Sequence, residues 1–328
     1  ISTFCAYWLH SWRFSPGNSD NSMEIPSYSG LIMALAMAPL LSGIINRTKA
    51  LFAGRRGSPL LQAYFDLWKL LRKDAVYSRT TTWIFRLAPA VGLAATVTVL
   101  LVVPVGGVAA PLSFAGDIIL LAYALGLARF FTVSAALDTG SSFEGMGASR
   151  EVQFSALAEP ALLIGIVALG RASHSMSLAP IFAGLTRDAW MGCGPALALV
   201  GISLFIVMLS ENSRIPFDDP NTHLELTMIH EVMILDYSGP DLGLVLYGAS
   251  LKFWILGALV VNTFLPITGL HGWSALAAFA GGMVVLSVAV GTVESIMARA
   301  RLLKVPHLLV GATVLAILAF VLVLRSAK

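Results

Sequence analysis

Apolar residues occur along this chain in long uninterrupted runs, separated by short polar segments. A helix of about 20 apolar residues crosses a bilayer. Eight runs qualify by length, namely 28–46, 83–103, 117–137, 154–171, 194–210, 243–266, 273–295 and 306–325. We therefore predict an all-α polytopic membrane protein with about eight transmembrane helices, in which residues 28–328 form a single domain.

The segment 51–76 has a different pattern, with apolar and polar residues on opposite sides of a helix. The apolar side carries Leu60, Leu61, Tyr64, Leu67, Trp68 and Leu71, and the polar side carries Gln62, Asp66, Lys69 and Lys73. Ser58 suits the cap of such a helix and Pro59 its first turn. We expect an amphipathic helix in the membrane interface, held by anionic lipid or serving as a ledge for a soluble partner.

Composition supports the membrane assignment. Hydrophobic residues make up 57% of the 328 residues and charged residues 12%, whereas about a quarter of an ordinary soluble domain is charged. Residues 1–27 are interpreted as an N-terminal tail. They lack the basic start and apolar core of a signal peptide, and one hypothesis is that the native chain begins at Met23.

Lysine and arginine are distributed unevenly between the two sides of the predicted bundle. One side carries Arg47, Lys49, Arg55, Arg56, Lys69, Arg72, Lys73, Arg79, Arg150, Arg214, Arg299, Arg301 and Lys304, and the other Arg13, Arg171, Arg187, Arg325 and Lys328. Because basic residues favour the cytoplasmic side, we predict that both termini lie on the outer side of the membrane. No basic patch interleaved with aromatic residues indicates nucleic-acid binding.

The segment 211–242 is predicted to be a cytoplasmic polar loop rich in ionisable groups. Asp219-Pro220 and Ser238-Gly239-Pro240 mark the ends of a possible short helix over 221–236, which would place His223, Thr227, His230 and Glu231 on one face. The sequence from His230 lacks the second histidine of HExxH, so no metal site is expected. The loop is interpreted as a docking or proton-handling surface, against the alternative of charges that only face water.

Ionisable residues also occur within or beside the apolar runs, where they are functional candidates by default. The proton-coupling candidates are Arg129, Glu151, Glu159, Glu211, Lys252 and Glu294. Purely structural pairing, for example of Arg129 with Glu159, is the alternative. The glycine-rich segment 138–153 can bring its backbone close to another chain, and the alternative interpretation is a merely flexible turn. The partner-docking candidates are Arg55, Arg56, Asp66, Arg150, Arg214, Asp218, Asp219, His223, Glu225, His230 and Glu231.

The chain has two cysteines, Cys5 and Cys193. An iron–sulfur cluster needs about four thiolates, so any such cluster must belong to a partner. The sequence contains no Walker loop, no Ser-His-Asp set and no GxGxxG at a strand–helix junction, so it does not support an ATPase, hydrolase or dinucleotide-binding function.

Several motifs together resemble one family. They are Gly54-Arg-Arg-Gly-Ser-Pro-Leu-Leu-Gln, Asp66-Leu-Trp-Lys-Leu-Leu, Gly145-Met-Gly-Ala-Ser-Arg-Glu, Ala158-Glu-Pro and Glu211-Asn-Ser-Arg-Ile-Pro-Phe-Asp. From about Ser29 to the C-terminus the chain resembles the membrane subunit shared by respiratory complex I (subunit 1, or H) and the membrane-bound group 4 [NiFe]-hydrogenases. The segment 219–242 is similar to the hydrogenase branch, of formate hydrogenlyase type.

This resemblance implies a non-catalytic subunit of an oxidoreductase complex in the inner (plasma) membrane of a prokaryote, so that the outer termini are expected to be periplasmic. Its expected partners are the hydrogenase large and iron–sulfur small subunits at the inner face, antiporter-like membrane subunits beside it, and lipid. The NiFe centre and the iron–sulfur clusters are expected in those partners, and no cofactor in this chain. The resemblance leaves a quinone-binding subunit of complex I as an alternative, although His223 and His230 depart from its acidic pattern. A secondary transporter is a further alternative.

Overall fold

The computed structural model describes residues 26–218, 228–266, 270 and 272–326. In chain order its helices are α1 (Tyr28–Phe52), α2 (Gln62–Leu71), α3 (Trp83–Leu100), α4 (Asp117–Asp138), α5 (Ser142–Ser173), α6 (Leu178–Gly184), α7 (Arg187–Glu211), α8 (His230–Met233), α9 (Gly239–Phe264), α10 (Trp273–Ile296) and α11 (Val305–Ser326). Eight of these are long and apolar enough to cross a membrane. The described residues form no strand, and the all-α polytopic prediction is confirmed.

Helix α9 lies at the centre of the bundle and packs against α1, α2, α3, α7 and α10. The C-terminal half of α9 is almost continuously buried, and Trp254 is the largest of its fully buried side chains. Helix α11 lies against α5 and α7, while α10 packs on α1. Since lipid tails are as apolar as leucine, this association depends on close packing and polar contacts between helices rather than on the hydrophobic effect.

The order of the helices gathers the polar segments at one end of the bundle. The C-terminal ends of α1, α4, α7 and α10 lie at the end where α3, α5, α9 and α11 begin, together with α2 and α8. We call this end the charged face and the other end the opposite face. Both ends of the described chain lie at the opposite face, as an even number of spans requires. The assignment of the charged face to the cytoplasm remains a prediction.

The amphipathic helix is shorter than the predicted segment 51–76. Helix α2 covers only Gln62–Leu71, Leu61 rather than Ser58 precedes it, and Leu51 and Phe52 belong to α1. Helix α2 begins late because the chain just before it crosses closely over α1. The carbonyl of Leu60 occupies the space that a side chain at Gly43 would need. The apolar residues Phe65, Trp68 and Leu71 are exposed along α2, as expected of a helix in an interface.

The glycine-rich segment 138–153 is also different from the prediction, since it is helical from Ser142 onward. Gly147 lies directly beneath Ile229, just before α8. A Cβ added to Gly147 would lie 2.9 Å from the carbonyl oxygen of Ile229. The predicted close backbone approach is therefore present, but it joins two parts of the same chain and lies within a regular helix.

The helix predicted over 221–236 is also too long, as judged from the part of it that the structure describes. The helix α8 covers only His230–Met233, while 219–227, with the candidates Asp219, His223 and Glu225, lie outside the described residues. Oδ2 of Asp218 accepts hydrogen bonds from the backbone N–H groups of Ile229 (3.0 Å) and His230 (3.4 Å). These bonds satisfy donors at the start of α8, which explains why the helix begins there.

Gly147 and Gly145 offer a matched test of this packing. Alanine is favoured over glycine in a helix by about 0.5–1 kcal/mol, but at Gly147 its Cβ would clash with the Ile229 carbonyl, a strain of about 1–3 kcal/mol. A Cβ at Gly145 would meet only Leu137, at 4.0 Å. We expect Gly147→Ala to lower the unfolding temperature in detergent, followed by tryptophan fluorescence, and Gly145→Ala to leave it unchanged or raised. Equal shifts in the two variants would contradict the packing described.

Candidate functional site

Five of the six proton-coupling candidates lie together between α4, α5, α7 and α9. They form the central cluster of Arg129, Glu151, Glu159, Glu211 and Lys252. Nη2 of Arg129 donates to both carboxylate oxygens of Glu211, at 2.8 and 2.9 Å. Nζ of Lys252 lies 2.7 Å from Oε2 of the same carboxylate. The Glu211 side chain is only 5% exposed, so it is the buried centre of the cluster.

The pairing at Glu211 has a simple physical cause. A carboxylate removed from water loses its hydration, and in a membrane bundle the loss must be offset by cations and hydrogen bonds. One guanidinium nitrogen of Arg129, Nη2, donates to both carboxylate oxygens, and Lys252 supplies a second positive charge. Because Arg129, Glu211 and Lys252 come from α4, α7 and α9, the pairing also fixes those three helices relative to one another.

The central cluster contains more carboxylates than cations. Nη1 of Arg129 donates to Glu159, whose side chain is 50% exposed. Glu151 is half-buried about two turns before Glu159 on α5. Glu151, Glu159 and Glu211 therefore face only two cations, Arg129 and Lys252. Like charges in one site favour retention of a proton. The arrangement is therefore chemically suited to taking up and releasing a proton as well as to holding the helices together.

Two cavities surround the cluster. The larger has a volume of about 420 Å³ and extends from α2, where Asp66 and Leu67 line it, to Arg129, Glu211 and His230. The smaller, of about 10 Å³, lies between Glu151, Glu211 and Asp218, and its size is close to that of one water molecule. Ser155 and Ser210 also line this small cavity, so a water there would have several polar partners connecting Glu211 with the polar loop.

Asp218 fixes the start of the polar loop. Its Oδ1 accepts from Nη2 of Arg299 at 2.8 Å, and its Oδ2 accepts the N–H groups at the start of α8. The backbone N–H of Ala300 donates to the carbonyl of Pro216 at 2.9 Å. The loop after α7 is therefore tied to both α8 and the connection between α10 and α11.

The sixth coupling candidate, Glu294, forms a separate buried pair at the charged face. Its carboxylate lies 2.9 Å from Nζ of Lys49 and 3.4 Å from Nη1 of Arg214. The Arg214 guanidinium also lies over the ring of Phe253, 5.6 Å from its centroid. This group joins α1, the loop after α7 and α10, and among the described residues it makes no hydrogen bond with the central cluster.

The remaining docking candidates are spread over the charged face. Nη1 of Arg150 donates to the carbonyl of Met228 at 3.0 Å, so Arg150 supports the segment before α8. Asp66 accepts from Nε2 of Gln62 at 2.8 Å on α2. Arg55 and Arg56 are exposed, whereas His230 and Glu231 line the larger cavity. These residues share one end of the bundle rather than one compact patch.

Burial and the nearby Lys252 charge lower the pKa of His230 from 6.5 to about 4, with Asp218 and Glu211 opposing the shift. His230 is therefore neutral near pH 7. A neutral imidazole both donates and accepts hydrogen bonds, so this side chain does not add a positive charge to the cavity. Among the described residues, no group of three or more His, Cys, Asp or Glu lies together as a metal site would require.

Several residues of the site were not anticipated from the sequence. Lys49 and Arg299 were counted only as orientation charges, yet they neutralise Glu294 and Asp218. The hydroxyl of Tyr237 donates to the carbonyl of Phe85 at 3.0 Å, and burial raises its pKa. No spacing rule connects these residues along the chain, since 81 to 245 positions separate the paired groups. The only signal for Lys49 and Arg299 in the sequence was that each is a basic residue close to an apolar run.

Comparison with known proteins identifies relatives over nearly the whole chain. Residues 27–325 match the family described as NADH dehydrogenase. The chain is 33% identical over 317 residues to formate hydrogenlyase subunit 4 of Escherichia coli (strain K12), covering 93% of this chain and 100% of that protein. It is 32% identical over 297 residues to hydrogenase-4 component C of the same organism, covering 88% and 92%. The resemblance inferred from the motifs is thereby confirmed.

A solved structure has the same fold. The chain superposes with a TM-score of 0.77 on a chain of the membrane-bound sulfane sulfur reductase (MBS), an archaeal respiratory membrane complex, covering 90% of this chain and 98% of that chain. The two sequences are 20% identical. The likeness therefore concerns the arrangement of helices.

The lowered pKa of His230 predicts a pH-dependent stability. As the pH falls from 6.5 to about 4, the unfolded chain binds a proton at His230 that the folded protein does not. A stabilisation of up to about 3 kcal/mol, fully present above pH 6.5, is lost over this range. We expect the free energy of unfolding in detergent to fall less steeply in His230→Gln than in the unsubstituted protein. Parallel pH profiles for the two proteins would contradict a neutral, half-buried His230.

Proposed function

Because the chain belongs to the NADH dehydrogenase family, we propose that it is the membrane anchor of a membrane-bound [NiFe]-hydrogenase complex of formate hydrogenlyase type. The observation that carries this proposal is the 33% identity to formate hydrogenlyase subunit 4 over the full length of that protein. The similar identity to hydrogenase-4 component C supports the same branch of the family.

The redox cofactors belong to partner subunits in this proposal. Two cysteines cannot supply the roughly four thiolates of an iron–sulfur cluster, and the central cluster offers carboxylates, an arginine and a lysine. The NiFe centre and the clusters are therefore assigned to the hydrogenase large and iron–sulfur small subunits. This chain contributes a docking surface and proton handling, and hydrogen is formed in the partner.

The charged face is the proposed docking surface and faces the cytoplasm. The concentration of basic residues in the connections at this face supports the orientation. Exposed Arg55 and Arg56 offer positive charge to a partner, while Arg150 and Asp218 hold the segment around α8 in place. A fixed polar surface binds a partner at a lower entropic cost than a mobile loop would.

Proton coupling runs from this surface into the central cluster. A change of charge at the docked partner alters the protonation of groups near His230 and Asp218. The small cavity between Asp218, Glu151 and Glu211 supports a short route for the proton. From Glu211 the bond network continues through Arg129 to Glu159, on the flank where an antiporter-like membrane subunit is proposed to bind.

A quinone-binding subunit of complex I is the second candidate. The cavity of about 420 Å³ favours it, since pockets for small molecules have volumes of about 300–1,000 Å³. This function requires a flavin-containing rather than a nickel-containing partner, and activity that quinone-site inhibitors abolish.

Purification through a tag on this chain tests the proposal. In mild detergent we expect nickel and iron to copurify with the chain, together with hydrogen evolution from a reduced dye.

Charge reversal in Arg55→Glu/Arg56→Glu should lower the nickel recovered per chain by about tenfold, because rim charges speed association and set its salt dependence. Arg325→Glu, a matched exposed change at the opposite face, should retain nickel. Flavin without nickel would favour complex I, and purification without any partner would contradict an anchoring role.

Glu211 should be required for coupling. In vesicles containing the whole complex, we expect Glu211→Gln to lower the number of protons moved per hydrogen evolved by about tenfold or more, since glutamine keeps the shape of the side chain but cannot bind the proton. The matched control is Asp117→Asn, which alters a buried carboxylate at the opposite face and should leave this ratio unchanged. An unchanged proton-to-hydrogen ratio in Glu211→Gln would remove the central cluster from the coupling route.

A further inference from the structure

Glu159 is exposed on the flank of the bundle, deep within the membrane-spanning region. Helix α5 carries Arg171 near its opposite-face end, and Glu159 lies twelve residues before it, roughly 18 Å along the helix. Half of the hydrocarbon core is about 15 Å thick. Glu159 is therefore close to the bilayer midplane, and its side chain is 50% exposed.

This exposure is toward the outside of the bundle. Glu159 does not line the larger cavity, although Arg129, Glu151 and Glu211 do. Its exposed neighbours at helical spacing on α5 are Val152, Ala156, Leu163 and Val167. An ionisable group in the middle of an otherwise apolar outer stripe would meet lipid tails, where a charge is strongly disfavoured.

Helix α4, which packs against α5, also carries exposed apolar residues. Its exposed apolar residues are Ile119, Tyr123, Leu127 and Phe130, and a Cβ added to Gly126 would have no neighbour within 4 Å. The hydrogen bond from Arg129 to Glu159 joins the two helices. We call the exposed residues of α4 and α5 around Glu159 the Glu159 flank.

The excess negative charge of the central cluster indicates which kind of neighbour covers this flank. Three carboxylates of the central cluster face two cations, and among the described residues the only hydrogen-bond partner of Glu159 is Arg129. The cluster therefore has one negative charge in excess unless it holds a proton. A neighbour that donates a hydrogen bond or a positive charge to Glu159 would complete the pairing in the membrane.

We propose that the Glu159 flank binds a transmembrane helix of a neighbouring membrane subunit, and that this helix presents a hydrogen-bond donor or cationic side chain to Glu159. The inference rests on the proposed function, because it gives the antiporter-like subunit a defined place against α4 and α5. It also makes Glu159 the point at which the central cluster contacts the next protein. Small and apolar residues on both sides of Glu159 permit the close approach of a second helix.

Photo-crosslinking in native membranes tests the location. Leu163→benzoylphenylalanine and Phe130→benzoylphenylalanine place the reactive group on the Glu159 flank. Val285→benzoylphenylalanine is the matched control, since Val285 is exposed on α10, which packs against α1 and α9 rather than α4 or α5. We expect both flank positions to form an adduct with the same antiporter-like subunit, and the control position to form none with it.

The other outcomes overturn the inference. Adducts with phospholipid only, with a second copy of this chain or with a soluble subunit would each contradict it, as would equal labelling of the antiporter-like subunit from Val285. If nickel copurifies and the flank forms no adduct with a membrane subunit, only this inference fails. If nickel is absent, the proposed hydrogenase function fails instead.

Substitution of Glu159 tests the chemistry. We expect Glu159→Leu to lower the recovery of the antiporter-like subunit per nickel by about tenfold or more, as removal of one partner of a desolvated charge pair does. Glu159→Asp keeps the charge and should retain most of that subunit. Nickel per chain reports whether each variant is folded and still binds its soluble partners. Equal recovery in Glu159→Leu and Glu159→Asp would exclude charge recognition at this flank.

Discussion

A carboxylate placed inside a membrane bundle must be neutralised there, and the pairing of Glu211 with Arg129 and Lys252 meets this constraint. The three groups come from α4, α7 and α9, so the same contacts that neutralise Glu211 also set the spacing of these helices. Removal of either cation would leave a buried charge without a full set of partners, which is far more costly than the loss of a surface ion pair. Stability and chemistry at this site therefore have the same origin.

The other charged groups of the site follow the same rule at the charged face. Glu294 is paired with Lys49 and Arg214, and Asp218 with Arg299. The Arg214–Glu294 pair ties the loop after α7 to α10. The Asp218–Arg299 pair ties the same loop to the connection between α10 and α11, so the polar segments are held by contacts between charged groups. A proton taken up at one of these carboxylates would weaken a pair and loosen the segment it holds. In the proposed function, this is how the bundle would respond to events in a docked partner.

The eight spans were predictable because long apolar runs have few other interpretations. The shorter elements were not, since backbone packing rather than local propensity determines them: Leu60 crosses over Gly43, and Ile229 lies on Gly147. Arg129 and Glu159 were anticipated as a pair, but the central position of Glu211 was not. Its cationic partners are distant along the chain, and their meeting depends on helix rotation, which hydropathy alone does not determine.

The central claim is that the buried carboxylates change protonation when the redox state of the docked partner changes. Infrared difference spectroscopy of the intact complex, recorded between its oxidised and reduced states, measures this directly. The account predicts a carboxylic-acid carbonyl band that appears or disappears on reduction and is absent from the spectrum of Glu211→Gln. A difference spectrum without any carboxylic-acid band, or one identical in Glu211→Gln, would contradict it.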